Sequence, residues 1–191
     1  MNIEEFSNSD LCISADLLKA LHEFGRDNDV QDWGYLDGLQ LCEFESYGGT
    51  ILYDPALTPV NTLSFASTGG DDVHFGLLAI NGKYGDTSPV VMTVPMADLN
   101  PVNANFILGH SVYEFLCLGC VHGFSILEEL AYGGVDELME IFSEPPDHGE
   151  DLVFSKFRER LKLKPWTEIP RRLEELESLY KLQLVFDSSG E

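Results

Sequence analysis

Two short stretches carry residues whose types and spacing could do chemistry. In the first, "DDVH", Asp72 and His74 lie two residues apart, which places both side chains on one face of a strand. That arrangement suits two metal ligands, or a carboxylate that orients a histidine acting as a general base. No third ligand is evident nearby, although folding could bring His110 or His122 close. A histidine at the start of a strand is more often a hydrogen-bonded packing residue, and we favour that interpretation.

The second stretch is "CLGCVH", in which Cys117, Cys120 and His122 share the CxxC spacing of zinc and redox sites. A structural zinc site needs a second pair of ligands, and the other two cysteines, Cys12 and Cys42, have no CxxC of their own. The surrounding sequence is apolar, and an unpaired cysteine in such a setting behaves as a small hydrophobic residue. We therefore predict free thiols that pack in the core, with no metal and no cofactor.

Other catalytic patterns are not found in the sequence. "TGGDD", at residues 68–72, lacks the lysine of a phosphate-binding loop and leads into a strand, whereas phosphate loops lead into helices. The stretches "GHSVY" and "GFSIL" lack the second glycine of a nucleophile elbow. We therefore predict that the protein is not an enzyme. A metal-dependent enzyme that uses Asp72, His74 and a distant histidine is the weaker alternative.

Charge is distributed unevenly along the chain. The 191 residues carry 33 acidic and 11 basic side chains, a formal net charge of −22. The first 150 residues hold 25 of the acids and 3 of the bases, and this difference of 22 accounts for the whole net charge. Such a field repels nucleic acid and anionic membranes and attracts a basic protein partner. The alternative is that the acidity only maintains solubility or reflects a saline habitat.

The composition is that of a folded protein, with 44% hydrophobic and 11% aromatic residues. The opening "MNIEEFSNSD" lacks the pattern of a signal peptide, and no apolar run is long enough to cross a bilayer. We expect a cytoplasmic protein that folds as a single domain over residues 1–191.

The elements that must position these residues follow the order helix, strands, helices. A first helix is expected from its cap at Ser14 to Gly25, and helical spacing returns from about Asn103 with a buried helix over "ANFILGHSVYEFLCLGCVHG". The strands predicted between them, with an Asn-Gly hairpin turn before the last, are "TILYD" (50–54), "NTLSFAS" (61–67), "VHFGLLAI" (73–80) and "PVVMTVPM" (89–96). This order predicts an α+β fold, in which helices pack around a central antiparallel β-sheet.

A series of short motifs runs in order over roughly residues 61–122. It comprises a small-residue turn before the strand "HFGLL", a "PVV" strand, and an apolar helix with the pattern "SVYEFL". The residues that carry it are Gly69, Gly70, Asp71, Phe75, Pro89, Val90, Val91, Ser111, Glu114, Phe115 and Leu116. This series resembles the SMI1/KNR4 (SUKH) superfamily. Asp72 stands where that family often has glycine, and the family's "LPxxY" opening is missing after the first helix.

The resemblance implies a SUKH-like fold and a protein-binding function without catalysis. Many bacterial members are immunity proteins that bind and block a toxin, and others are regulatory scaffolds. Together with the acidic first 150 residues, it predicts an immunity protein that neutralises a basic, nuclease-like toxin, with a regulatory scaffold as the alternative. The glycines of "TGGDD" are expected to adopt unusual backbone angles. The partner contacts expected on this basis are Asp71, Asp72, His74, Asp86, Glu43 and Glu45.

Overall fold

The computed structural model describes residues 1–28, 36–46, 56–146 and 152–187, with the side chains of 45 and 46 left out. Within these ranges the α-helices are α1 (Ile3–Ser7), α2 (Asp16–Asp27), α3 (Val112–Gly119), α4 (Glu129–Tyr132), α5 (Gly134–Ser143), α6 (Leu152–Leu161) and α7 (Ile169–Tyr180). The strands are β1 (Cys12–Ser14), β2 (Gln40–Ser46), β3 (Thr62–Ser67), β4 (His74–Leu78), β5 (Tyr84–Gly85), β6 (Val90–Thr93) and β7 (Asn105–Gly109).

The centre of the fold is an antiparallel sheet of five strands in the order β2-β3-β4-β6-β7. A short parallel pair, β1 and β5, lies outside this sheet. The prediction of an α+β fold with a central antiparallel sheet is thus confirmed. No helix among the described residues is long and apolar enough to span a bilayer.

Side chains pack against both faces of the sheet, and alternate residues of each strand point to opposite sides. Phe75 and Leu77 of β4 belong to the main core, which also takes side chains from α2, α3 and α6. Leu78 of the same strand belongs to a smaller core on the other face. The residues of that smaller core are Leu78, Val91, Ile107, Leu176 and Leu184, the last two supplied by α7 and the segment after it.

The strands predicted in the middle of the chain match β3, which begins one residue later than predicted, and β4 and β6, which are shorter at both ends. The predicted Asn-Gly turn is also present, since Asn81 and Gly82 have φ angles of 53° and 75° and Ile80 pairs with Lys83 across them. The strand predicted at 50–54 lies outside the described residues.

The predicted buried helix from about Asn103 is wrong in its first part. The segment Asn105–Gly109 forms strand β7, and α3 begins only at Val112, after Ser111, whose hydroxyl accepts a hydrogen bond from the N–H of Glu114. A short apolar run fits a buried strand and a buried helix equally well, so periodicity alone does not separate them. Gly109 lets the chain turn here, because a Cβ on it would lie 2.7 Å from the backbone nitrogen of Phe115.

The first long helix also differs at both ends from its prediction. Ser14 belongs to β1, and α2 starts after Ala15, which makes no side-chain capping bond. The helix continues through Gly25 to Asp27, with Asn28 as its C-cap. Strands β1 and β2 were not predicted, because β1 is short and β2 carries two glutamates, Glu43 and Glu45, among its apolar residues.

Candidate functional site

A row of polar residues crosses the whole central sheet near one end. Successive strand pairings align these residues, which are Gln40, Ser67, His74, Thr93 and Asn105. The chain leaves the sheet just beyond this row in three places: residues 36–39 before β2, the connection 68–73, and the loop 94–104. We call this the polar end of the sheet. Three segments far apart in sequence therefore meet there.

His74 is the centre of this row and is only 1% exposed. Its Nδ1 lies 2.7 Å from the carbonyl oxygen of Asp72, and its Nε2 lies 3.2 Å from the hydroxyl of Thr58. A carbonyl can only accept, so Nδ1 donates to it and Nε2 accepts from the threonine. Burial lowers the pKa of His74 to about 4, against the opposing effect of Asp72. The ring is therefore neutral at pH 7.

The burial of His74 corrects its predicted role as a partner contact. An enclosed ring cannot touch a partner, and with both nitrogens hydrogen-bonded it has no lone pair left for a metal. Within the described ranges, no group of three or more His, Cys, Asp or Glu side chains is placed to hold a metal ion. His74 instead joins the segment before β3 to the start of β4.

The cysteines of "CLGCVH" lie in the main core. Cys117 and Cys120 are 3% and 0% exposed, and the thiol of Cys120 donates to the carbonyl of Cys117. Burial raises the pKa of Cys120 to about 12. The ring of His122 stacks on Phe142, with ring centroids 4.5 Å apart. These contacts fit the predicted packing role of the two thiols.

The connection from β3 to β4 holds two aspartates in an uncommon conformation. Gly69, Asp71 and Asp72 have φ angles of 84°, 48° and 56°, all in the left-handed region. Aspartate tolerates this region better than most residues. The turn is closed by hydrogen bonds from Thr68 N–H to Val73 and from Val73 N–H back to Gly70. Both carboxylates are exposed beside a cleft of about 230 Å³.

A second acidic segment is brought to the same end by a backbone link. Leu36, Asp37 and Gly38 form a turn before β2, also with positive φ angles. The carbonyl of Asp37 accepts hydrogen bonds from the N–H groups of Phe124 (2.6 Å) and Ser125 (2.8 Å). Ser125 opens a short 3₁₀ helix, Ser125–Glu128, that runs directly into α4. The link therefore fixes the glutamates at this junction close to the polar end.

Glu128 lies in the electrostatic field of Glu129 and Asp71. Burial raises the pKa of Glu128, and the negative charges of Glu129 and Asp71 raise it further. The side chain of Tyr132 is 55% exposed. Burial raises the pKa of its hydroxyl, and the negative charges of Glu128, Asp71 and Glu129 raise it further. We call Asp71, Asp72, Glu128 and Glu129 the acidic cluster. Its like charges are held together by the fold, although they repel one another.

The other predicted contact residues lie elsewhere. The carboxylate of Asp86 accepts hydrogen bonds from the backbone N–H groups at the start of α2. Asp86 therefore caps this helix, a role that its sequence position does not indicate. Glu43, on strand β2, is ion-paired with the amino group of Met1 at 3.1 Å. Glu45 pairs with Ser64 through its backbone, and its side chain lies outside the described part.

The sequence did not identify Glu128 and Glu129 as part of the site. They follow Asp71 by more than fifty residues, and the hydrogen bonds that tie Ser125, just before them, to Asp37 join segments that are also far apart in sequence. The one available signal was that Lys83 is the only lysine or arginine between residues 27 and 150, so any surface formed by these residues is acidic.

No protein-family model, curated protein or solved structure matches the chain.

Proposed function

We propose that this chain is a non-catalytic protein-binding domain of the SMI1/KNR4 (SUKH) kind, and that it acts in the cytoplasm as an immunity protein. Its partner is a basic, nuclease-like toxin, which it binds and neutralises. The acidic cluster is the centre of the binding surface.

The observation that carries this proposal is that the negative charges of Glu129 and Asp71 add to burial in raising the pKa of Glu128. Like charges held close together destabilise the protein that holds them. A cationic partner removes that repulsion when it binds. Charge pairs that these carboxylates form across the interface therefore contribute more to the binding free energy than pairs formed by isolated carboxylates. A nuclease surface that holds phosphate is rich in lysine and arginine and offers the complementary charge.

The position of the cluster also favours a binding role. Asp71 and Asp72 are exposed on a turn that is fixed by its own hydrogen bonds, and Tyr132 provides an exposed aromatic ring in the same field. Aromatic residues with surrounding charged groups are typical of the residues that dominate binding energy at protein interfaces. A surface that is already in its binding conformation avoids much of the entropy cost of association.

Affinity capture tests the proposal directly. The acidic-cluster variant carries Asp71→Asn, Asp72→Asn, Glu128→Gln and Glu129→Gln. A distal control loses the same charge at exposed sites outside the polar end, through Asp10→Asn, Glu23→Gln, Glu159→Gln and Glu174→Gln. Each tagged protein is incubated with lysate of the cells from which the chain comes, at low and at moderate salt, and bound proteins are identified by mass spectrometry.

We expect the wild-type chain and the distal control to capture one stoichiometric basic protein at low salt, and the acidic-cluster variant to lose it. The captured protein should degrade nucleic acid when free and stop when the wild-type chain is added. An empty eluate at low salt, or equal capture by all three proteins, would overturn the proposal. A captured protein without nuclease activity would favour the regulatory scaffold instead.

A further inference from the structure

The loop 94–104, between β6 and β7, exposes apolar side chains at the polar end of the sheet. Leu99 is 92% exposed, Met96 is 74% exposed and Val102 is 45% exposed. Three such side chains on one short loop are more than the scattered single apolar residues that any protein surface shows. We call these three residues the apolar loop.

Hydrogen bonds within the loop hold it in shape. The carboxylate of Asp98 accepts from the N–H of Asn100 and from the side-chain amide of Asn103, both at 2.8 Å. The side chain of Asn100 accepts from the N–H of Val102 at 3.0 Å. The buried amide of Asn105 donates to the carbonyls of Pro101 (2.6 Å) and Leu57 (2.8 Å). Leu99 thus stands out from a fixed scaffold.

The apolar loop and the acidic cluster share one end of the sheet. Thr93, the last residue of β6, pairs with His74, and the connection that carries Asp71 ends immediately before His74. Lys83 lies beyond the opposite end of β4, in the turn that starts at Ile80. Lys181 is a basic residue that lies near the start of β7. Its side chain is only 15% exposed, forms an ion pair with Glu177 and donates a hydrogen bond to the carbonyl of Asn105.

The charge around the loop decides what kind of molecule can cover it. A second copy of this chain would bring another acidic surface against the first, and an anionic membrane would be repelled for the same reason. A basic protein is attracted by the carboxylates of Asp71, Asp72 and Asp98 at this end. Apolar residues in the middle of an interface and charged residues at its edge form the usual arrangement of a specific complex.

We propose that the apolar loop is the anchor of this surface, and that it docks into an apolar recess on the basic partner, with Leu99 as its central residue. This inference rests on the proposed function and adds a requirement to it: the partner must offer an apolar recess beside its positive charge. The carboxylates then steer the encounter, and the loop slows dissociation.

Two synthetic peptides of equal length and charge test the loop without a known partner. One alternates lysine with serine, and the other alternates lysine with leucine. Their dissociation constants are measured by calorimetry with the wild-type chain, the acidic-cluster variant and a loop variant carrying Met96→Ser and Leu99→Ser. A matched control carries Leu152→Ser, at a leucine that is 65% exposed on α6. Amide NMR shifts map where each peptide binds.

For the wild-type chain and the Leu152→Ser control, we expect the dissociation constant of the leucine peptide to be lower than that of the serine peptide by about tenfold or more. This is the size of effect that removal of one apolar anchor typically has at an interface. The loop variant should bind both peptides equally, and only the leucine peptide should shift amides of residues 94–104. A preference that survives in the loop variant would overturn the anchor and leave the proposed function standing. Failure of the wild-type chain to bind either peptide at low salt would overturn both.

Discussion

The carboxylate of Asp86 caps helix α2 across the fold, with its Oδ2 atom 3.0 Å from the backbone nitrogen of Leu17. Its Oδ1 atom accepts from the next N–H, that of Leu18, at the same distance. The residue in the N-cap position, Ala15, has no side chain that can do this. Asp86 supplies what the local sequence lacks, and it also places a negative charge at the positive end of the helix dipole.

The Asp86→Ala variant should therefore be less stable than the wild-type chain by about 1–2 kcal/mol, the usual cost of losing a helix cap. Urea unfolding followed by circular dichroism measures this difference. Asp71→Asn is the matched control, because asparagine accepts the left-handed conformation of Asp71 and leaves no cap unfilled. Equal midpoints for the two variants would show that Asp86 is not a capping residue.

His74 should make the protein less stable in acid. Its pKa is 6.5 in the unfolded chain and about 4 in the folded protein, because burial disfavours the charged ring. Between these values the unfolded chain binds more protons, so the free energy of unfolding falls as pH drops from about 6.5 to about 4. The loss approaches about 3 kcal/mol.

The His74→Gln variant isolates this contribution, since carboxylates and His22 titrate in both proteins. We expect the variant to be less stable at pH 7 and to lose less stability on acidification, so that the two curves converge. Urea midpoints across this pH range provide the measurement. Parallel curves for the two proteins would contradict the proposed neutral, buried ring.

Glu114 of α3 and Arg172 of α7 should stabilise each other. Two hydrogen bonds, of 2.7 and 3.1 Å, join their side chains. Burial alone would raise the pKa of Glu114, but the bond from Arg172 and the N–H of His110 together lower it. A double-mutant cycle with Glu114→Gln and Arg172→Gln should give a coupling energy of about 1–2 kcal/mol, since the pair is charged and only partly exposed.

The control cycle uses Arg171 and Glu168, which are 3.3 Å apart with both side chains about 70% exposed. Exposed pairs of this kind contribute at most about 0.5 kcal/mol, because water screens them. A coupling energy between Glu114 and Arg172 no larger than this would contradict the expectation that the pair stabilises the contact of α7 with α3.

The buried thiols should react only when the protein unfolds. Cys117 and Cys120 are enclosed, whereas Cys12 and Cys42 are partly exposed. Burial raises the pKa of Cys12 as well as those of Cys117 and Cys120, so exposure is what distinguishes Cys12 from the two enclosed thiols. A thiolate is the reactive form, so raised pKa values and burial both slow alkylation. Mass spectrometry after iodoacetamide treatment should find the label at Cys12 and Cys42 in the native protein and at all four in urea. Rapid native labelling of Cys120 would contradict its core position.

The fold class is predictable because short apolar runs, separated by Gly, Pro, Asn and Asp, mark β3, β4 and β6 locally. The helix prediction fails at β7 because Phe106, Ile107 and Leu108 follow one another with no polar residue between them to reveal a strand period. The start of α2 was misplaced for a different reason, since its capping residue, Asp86, lies far away in the sequence. Local patterns specify local elements, and tertiary hydrogen bonds alter their limits.

The candidate site was only half predictable for the same reason. Asp71 and Asp72 were found from their turn, but the sequence cannot show that His74 beside them is enclosed by Thr58. Glu128 lies near Asp71 through tertiary structure, to which the hydrogen bonds between Asp37 and the segment at Ser125 contribute. The exposed apolar loop was missed as well, because Met96 and Leu99 follow a strand and look like a continuation of the core.

If the acidic cluster is the centre of the binding surface, its removal must change how binding to the captured basic protein depends on salt. Calorimetry gives the dissociation constant over a series of salt concentrations for the wild-type chain, the acidic-cluster variant and the distal control. We expect affinity to fall steeply with salt for the wild-type chain and the distal control, and to be weak with a shallow salt dependence for the acidic-cluster variant. The same affinity and the same salt slope for all three proteins would contradict this expectation.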